Sequence, residues 1–276
     1  MTTADIPAGL RLCRAAGWNQ LESDWLCFLE SSPGGCAVAE GHNGVAGTVA
    51  TLRYEQKFSW ISMLLVDPGM RHRGVGSLLL CEALRILEDM ETIRLDATPA
   101  GKMVYDKFGF VDEYWLTRMK AMNPQPDPLP ASSQVRPISR SDLPRILEFD
   151  REVFGADRRA ILRRLYADAP EYAFVIDSAR GLDGFSFGRH GFLAEHLGPV
   201  VASEESAARD LVSACLNAHL GHPFLLDAPQ VSQEWSHWLK SIGFREERPF
   251  IRMFRGSNSY SGVPRQQFAI TGPEFG

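Results

Sequence analysis

The chain is short of several features that would assign it at a glance. Its first residues, Met1-Thr2-Thr3-Ala4-Asp5-Ile6-Pro7, lack a basic segment followed by an apolar core, so no secretory leader is expected. No apolar run approaches the length of a membrane span, and no membrane partner is expected. Positive charge is not in excess. Lys and Arg number 29 against 34 Asp and Glu, a formal net charge of -5 with no basic stripe, which argues against bulk nucleic-acid binding. Cysteine is scarce and odd in number: Cys13, Cys27, Cys36, Cys81 and Cys215 follow no metal-ligand spacing. They read as reduced thiols of a cytoplasmic protein, with Cys81 and Cys215 as buried small hydrophobes in helical patterns, and no metal is expected. What remains is a globular composition, 45% hydrophobic and 23% charged, and a length of 276 residues, enough for one large domain or two of ordinary size.

The most informative stretch runs from Val66 to Leu80. An apolar run, Ile61 to Val66, stops at Asp67-Pro68. A basic turn with two glycines follows, Arg71-His72-Arg73-Gly74-Val75-Gly76-Ser77, and then a helical pattern begins. The first N–H groups of a helix have no partner inside it, and the helix dipole there favours negative charge, so this is a way to hold phosphate. Gly74 and Gly76 let the backbone come close to a ligand, while Arg71 and Arg73 bring fork-shaped cations. No Gly-Lys-Ser/Thr follows, so the loop is not a Walker A motif, and the third glycine of the dinucleotide fingerprint is missing.

The sequence also repeats itself. The stretch Ala121-Met122-Asn123-Pro124-Gln125-Pro126-Asp127-Pro128-Leu129-Pro130-Ala131-Ser132-Ser133 is proline-rich and reads as a semi-rigid linker. Before it stand Ile93-Arg94-Leu95-Asp96-Ala97, Phe108-Gly109-Phe110 and Thr117-Arg118-Met119. After it stand Phe224-Leu225-Leu226-Asp227-Ala228, Ile242-Gly243-Phe244 and Ile251-Arg252-Met253. Strand, helix, strand, helix, Gly-Phe, strand occurs twice, which is a domain duplication. Within the first half the spacing predicts a helix over 19–29 and strands over 36–39, 45–52, 57–66, 93–97 and 113–119. The first two strands are joined by the hairpin signal Gly41-His42-Asn43-Gly44. Ser141-Asp142 is expected to cap the first helix of the second half.

In the form Arg-x-x-Gly-x-Gly, after strand-Asp-Pro and before a helix, Arg71, Gly74 and Gly76 resemble the pyrophosphate loop of the GNAT superfamily, the acyl-CoA-dependent N-acetyltransferases. The repeat, the stretch Leu197-Gly198-Pro199-Val200-Val201-Ala202 and the closing Gly272-Pro273-Glu274-Phe275-Gly276 are similar to tandem-GNAT proteins with a degenerate C-terminal domain. The resemblance implies a mixed α/β (α+β) fold with a mixed sheet, arranged as residues 1–122 (acetyltransferase domain), 123–134 (linker) and 135–276 (degenerate domain with tail). It implies acetyl-CoA as co-substrate, held by Leu65, Val66, Arg71, His72, Arg73, Gly74, Val75, Gly76 and Ser77. The N–H near Leu65 is then the oxyanion donor, and Tyr105 is the catalytic acid that protonates the departing thiolate.

Beside the resemblance, the residues supply their own arguments. After Ala202 the second half has Ser203-Glu204-Glu205 and no glycine loop; acids there satisfy the helix dipole internally and repel pyrophosphate, so one acyl-CoA site per chain is expected. A phenol with pKa near 10 is protonated at neutral pH and can donate to sulfur. The general base is missing, since Trp60-Ile61-Ser62-Met63-Leu64-Leu65 carries no carboxylate. Asp96 is the nearest candidate, but Asp227 repeats it in the other half, which points to a fold role. Trp18, Trp25 and Phe28 stand as an acceptor wall or, for the latter two, as core. The expected acceptor is a small-molecule amine rather than a protein, and a homodimer stays open. The alternative is a non-catalytic acyl-CoA-binding or regulatory protein that keeps the loop but lacks a base.

Overall fold

The computed structural model describes residues 1–42, 44–129, 134–179, 181–230 and 232–276. Asn43 of the expected hairpin and Pro130 to Ser133 of the expected linker lie outside the described residues. The chain begins with helices α1 (Ile6–Ala15) and α2 (Glu22–Ser31), then strands β1 (Cys36–Gly41), β2 (Gly44–Tyr54) and β3 (Phe58–Val66). Helix α3 (Val75–Ile86), strand β4 (Thr92–Ala97), short helix α4 (Pro99–Tyr105) and strand β5 (Val111–Ala121) complete the first half. The second half runs β6 (Val135–Pro137), α5 (Leu143–Phe154), α6 (Arg159–Asp168), β7 (Phe174–Ser178), β8 (Gly181–Arg189) and β9 (Glu195–Ala202). It continues with α7 (Glu205–Ala218), β10 (Phe224–Pro229), α8 (Gln233–Ser241), β11 (Arg245–Gly256) and β12 (Gln267–Ala269). Among the described residues no helix is long and apolar enough to cross a membrane.

All strands join one 12-stranded mixed sheet in the order β1-β2-β3-β4-β11-β5-β10-β9-β8-β7-β6, with β12 beside β9. That order differs from two self-contained halves. The last long strand of the second half, β11, lies between β4 and β5, and the last strand of the first half, β5, lies between β11 and β10. The halves exchange these strands. A buried ion pair explains the register. Arg252 on β11 faces Asp96 on β4, with Nε and Nη2 each 2.9 Å from a carboxylate oxygen. Arg118 on β5 faces Asp227 on β10 at 2.8 and 2.7 Å. Each half therefore supplies the arginine for the other half's aspartate. A one-residue slip would turn each charge to the opposite face and leave it unpaired, which is strongly destabilising.

Several elements depart from the sequence reading. Helix α1 was not legible in the apolar pattern because its ten residues include Pro7 and Gly9; Pro7 sits in the first turn, where the missing N–H costs nothing. Asp142 does not cap α5 through its side chain; it accepts instead from Ser139 and pairs with Arg136 and Arg145. Cys81 is exposed, since the buried stripe of α3 is Leu79, Leu80 and Ala83 and one further residue turns the side chain to solvent. Cys13, Cys27, Cys36 and Cys215 are buried, and burial pushes the Cys13 thiol up to about 12 and that of Cys36 to about 11. Trp25 and Phe28 belong to the core.

Candidate active site

Strands β3 and β4 run parallel but pair only at Ser59–Ile93 and Trp60–Arg94 before they diverge. The gap opens toward the C-terminal ends of both strands, where ligands of open α/β sheets bind. On the β3 side the register with β2 slips between Thr48 and Ala50, and Met63 adopts a φ of 51°. A bulge of this kind bends the strand and re-aims its peptide groups, and positive φ at an unbranched non-glycine residue is held only by its surroundings. Thr48 Oγ1 donates to the Met63 carbonyl at 2.9 Å and fixes it. This bulge is not legible in the sequence, because no glycine marks it.

At the end of β3, Asp67 accepts from the Gly69 N–H at 3.0 Å and pairs with Arg11 of α1 at 2.5 Å. This turn aims the chain into the 71–77 loop and the N-terminus of α3. Gly74 precedes α3 with φ 82°, and a Cβ there would meet open space, so the constraint is backbone conformation and access rather than packing. One cavity of about 640 Å³ joins the gap and the loop. Its wall includes Leu65, Val66, Arg71, His72, Gly74, Val75, Gly76 and Ser77. Arg73 is the exception among the expected residues: it is exposed and lies off the wall, carried outward by a turn with positive φ at both His72 and Gly74. Among the described residues no group of His, Cys, Asp or Glu is arranged to hold a metal ion.

Tyr105, at the end of α4, also lines this cavity, with its ring packed edge-on against Phe110 at 5.9 Å. Burial pushes its pKa up to about 12, so the group is a proton donor, not an anion, at neutral pH. Asp96 touches the cavity too, but Arg252 engages both its oxygens, which supports the fold role over the general base.

The far end of the cavity is walled by residues from three separate parts of the chain: Trp18 and Gln20 before α2, Arg118 and Arg248 with Phe250 on the exchanged strands, and Pro273 and Glu274 of the tail. Sequence reasoning missed Glu274, because the tail reaches this place only by a path through the second half. There β9 and β10 pair only at Glu195–Phe224 and His196–Leu225 and then diverge, as β3 and β4 do. In that second gap lies β12: Gln267 pairs with Val201, Ala269 with Val200, and the Ile270 N–H donates to Asp227 O at 2.9 Å. Gly198 makes room, since a Cβ on it would stand 2.0 Å from the Ile270 carbonyl. The chain then crosses to the first half, where Trp60 donates to Pro273 O at 2.9 Å and the buried Arg189 engages both Glu274 and Asp24. Burial works to raise the Glu274 carboxyl, but the charges of Arg189 and, further off, Arg118 hold it below its ordinary value, so it is a carboxylate.

Comparison with known proteins places this geometry. A family model described as an acetyltransferase (GNAT) domain matches residues 146–269, and another of the same description matches residues 32–112. This chain belongs to the GNAT acetyltransferase family. Both halves of the GNAT repeat are thus recognised, and the protein is an acyltransferase. A similar curated protein is the holothin acyltransferase of Pseudoalteromonas sp. (strain SANK 73390), 29% identical over 231 residues, 83% of this chain and 77% of that protein. A putative acetyltransferase from Pyrococcus horikoshii shares the fold with a TM-score of 0.83 and 23% identity, covering 100% of this chain and 94% of that one. A tandem GNAT protein from the clavulanic acid biosynthesis pathway matches with a TM-score of 0.59 and 15% identity, covering 86% of this chain and 88% of that one.

Proposed function

We propose that this GNAT protein is an acetyl-CoA-dependent N-acetyltransferase that acts on a small-molecule amine, with one acyl-CoA site per chain, in the first half. The observation that carries the reading is a single cavity on which the diverging β3–β4 gap, the loop 71–77 and Tyr105 all lie. The pyrophosphate fits the open cradle at Gly74 and Gly76, where first-turn N–H groups, the helix dipole and Arg71 favour an anion. The pantetheine arm fits the gap, bonding to β3 as an added strand would, and brings the acyl thioester to the peptide groups near Leu65. Those N–H groups act on the developing oxyanion. The bound acyl-CoA supplies the activated acyl group; the neutral amine nitrogen forms the amide bond as the carbon–sulfur bond breaks. Tyr105 gives its proton to the leaving sulfur and regains one from solvent, while the proton lost by the amine balances it.

The second gap supports a single site. Val200 and Val201 correspond to Leu64 and Leu65, and their strand edge is already taken by β12. In place of the loop, Glu205 opens α7 and pairs with Arg209. The acceptor end, closed by the segment before α2, the tail and the exchanged strands, favours a small molecule over a protein surface. With no carboxylate on β3, the amine's proton leaves to solvent or to a group outside that strand. Calorimetric titration with acetyl-CoA tests the site: one equivalent per chain is expected, lost in Gly74→Asp. Two equivalents would contradict the occupied second gap, and turnover kept in full in Tyr105→Phe would reject Tyr105 as the acid.

A further inference from the structure

The far end of the cavity holds a cation with no carboxylate of its own. Arg248 stands opposite Arg118 in the β11–β5 register, and both line the cavity. Arg118 is committed, with two hydrogen bonds to Asp227. The Arg248 side chain makes no hydrogen bond or ion pair with any described residue, and its Nε is buried without a partner. The Phe250 ring lies beneath both guanidinium groups, 5.3 Å from that of Arg118 and 5.5 Å from that of Arg248. A half-buried guanidinium beside a second cation is costly unless an anion arrives, because desolvation and like-charge repulsion act together. Of the carboxylates that act on it, Glu247 is exposed to solvent, Asp227 is held by Arg118, and Glu274, on the wall, is held by Arg189. The rest of the wall there is Gln20 and the apolar Trp18, Phe250 and Pro273.

We propose that Arg248 is the anion subsite of the acceptor pocket and that the acceptor is an amine that also carries a carboxylate, of the amino-acid type. This rests on the acyl-transfer reading and adds the acceptor's second charge. The fork of Arg248 takes the carboxylate in a bidentate grip. The ionised Glu274 faces the same space and favours the cationic form in which an amine arrives. The apolar wall of Trp18, Phe250 and Pro273 takes the side chain. With its carboxylate held at Arg248 at the far end, the acceptor's amine nitrogen is left on the side of the β3–β4 gap.

The test uses the intact protein, acetyl-CoA and matched acceptors that differ only in the carboxylate: phenylalanine against phenethylamine, and methionine against 3-(methylthio)propylamine. The expected result is a kcat/KM higher by about tenfold or more for the carboxylate member, the worth of one charge-assisted hydrogen bond. Arg248→Gln should bring that ratio close to one while calorimetry shows unchanged acetyl-CoA affinity. Arg248→Lys should restore part of the ratio, which a merely structural role for the arginine would not do. Equal or better turnover of the decarboxylated amines, no turnover of the carboxylate members, or a ratio that survives Arg248→Gln would overturn the proposal and leave acyl transfer standing. Failure to bind acetyl-CoA at all would overturn the acyl-transfer reading, and this inference with it.

Discussion

Tyr105 has no charged neighbour to tune it; burial alone raises its pKa to about 12. The proton is therefore in place at every pH below that value, and the amine's ionisation limits the reaction on the acid side. Log kcat/KM should rise as an alkyl ammonium with pKa near ~10 loses its proton and should not fall back below about pH 12. An earlier alkaline fall would assign the acid elsewhere. Tyr105→Phe should keep acetyl-CoA affinity and lower kcat by ~100-fold or more, the ordinary worth of a positioned acid. A different role belongs to Asp96. Because Arg252 is buried with it, Asp96→Asn leaves a buried cation half-satisfied, and unfolding free energy should fall by about 3 to 5 kcal/mol, measured by denaturant titration. The sequence showed both aspartates and both arginines as repeats, but not the partnership. Asp96 and Arg252 are 156 residues apart, and only the strand order brings them together. Glu274 and Arg248 were illegible for the same reason, since nothing local marks either as facing a cavity formed from three distant segments.

At the scale of elements, the glycine loop was readable because its chemistry is local: a strand, an Asp-Pro turn and a helix start are all written within about a dozen consecutive residues. Strands β3, β4, β9 and β10 were readable from apolar runs, and the divergence between their pairs was not, since pairing leaves no mark on composition. Strand β12 is the clearest case. Its three residues are too few for any period, yet they take the place in the second gap that corresponds to the first half's open gap. The stretch Leu197-Gly198-Pro199-Val200-Val201-Ala202 acquires a physical reason here, because Gly198 leaves room for the Ile270 carbonyl. In Gly198→Ala the added Cβ must displace the tail. A loss of about 1 to 3 kcal/mol of stability is expected, the usual cost of overpacking. Acceptor turnover should fall more than acetyl-CoA affinity, because Pro273 and Glu274 lie downstream of the displaced strand while the loop 71–77 lies in the other half. An equal fall in both would contradict this path.

On the scale of the whole molecule, the duplication could be read directly, and the exchange of strands could not. A repeat in sequence says that two similar units exist, and it is silent on which unit each strand completes. With β11 between β4 and β5, each half's sheet is continuous through the other. A single cooperative unfolding transition is therefore expected by calorimetry and by far-ultraviolet circular dichroism alike, and two separated transitions would speak against it. The exchange also makes covalent continuity redundant with continuity of the sheet. If a protease site were placed between residues 129 and 134 and cut after folding, the two pieces would stay hooked through β5 and β11. They would migrate as two bands once denatured and as one particle under native conditions, with the cavity whole. The peptide joining the halves then serves chiefly the assembly of the molecule, and the finished structure holds itself together by the way its strands are interlaced.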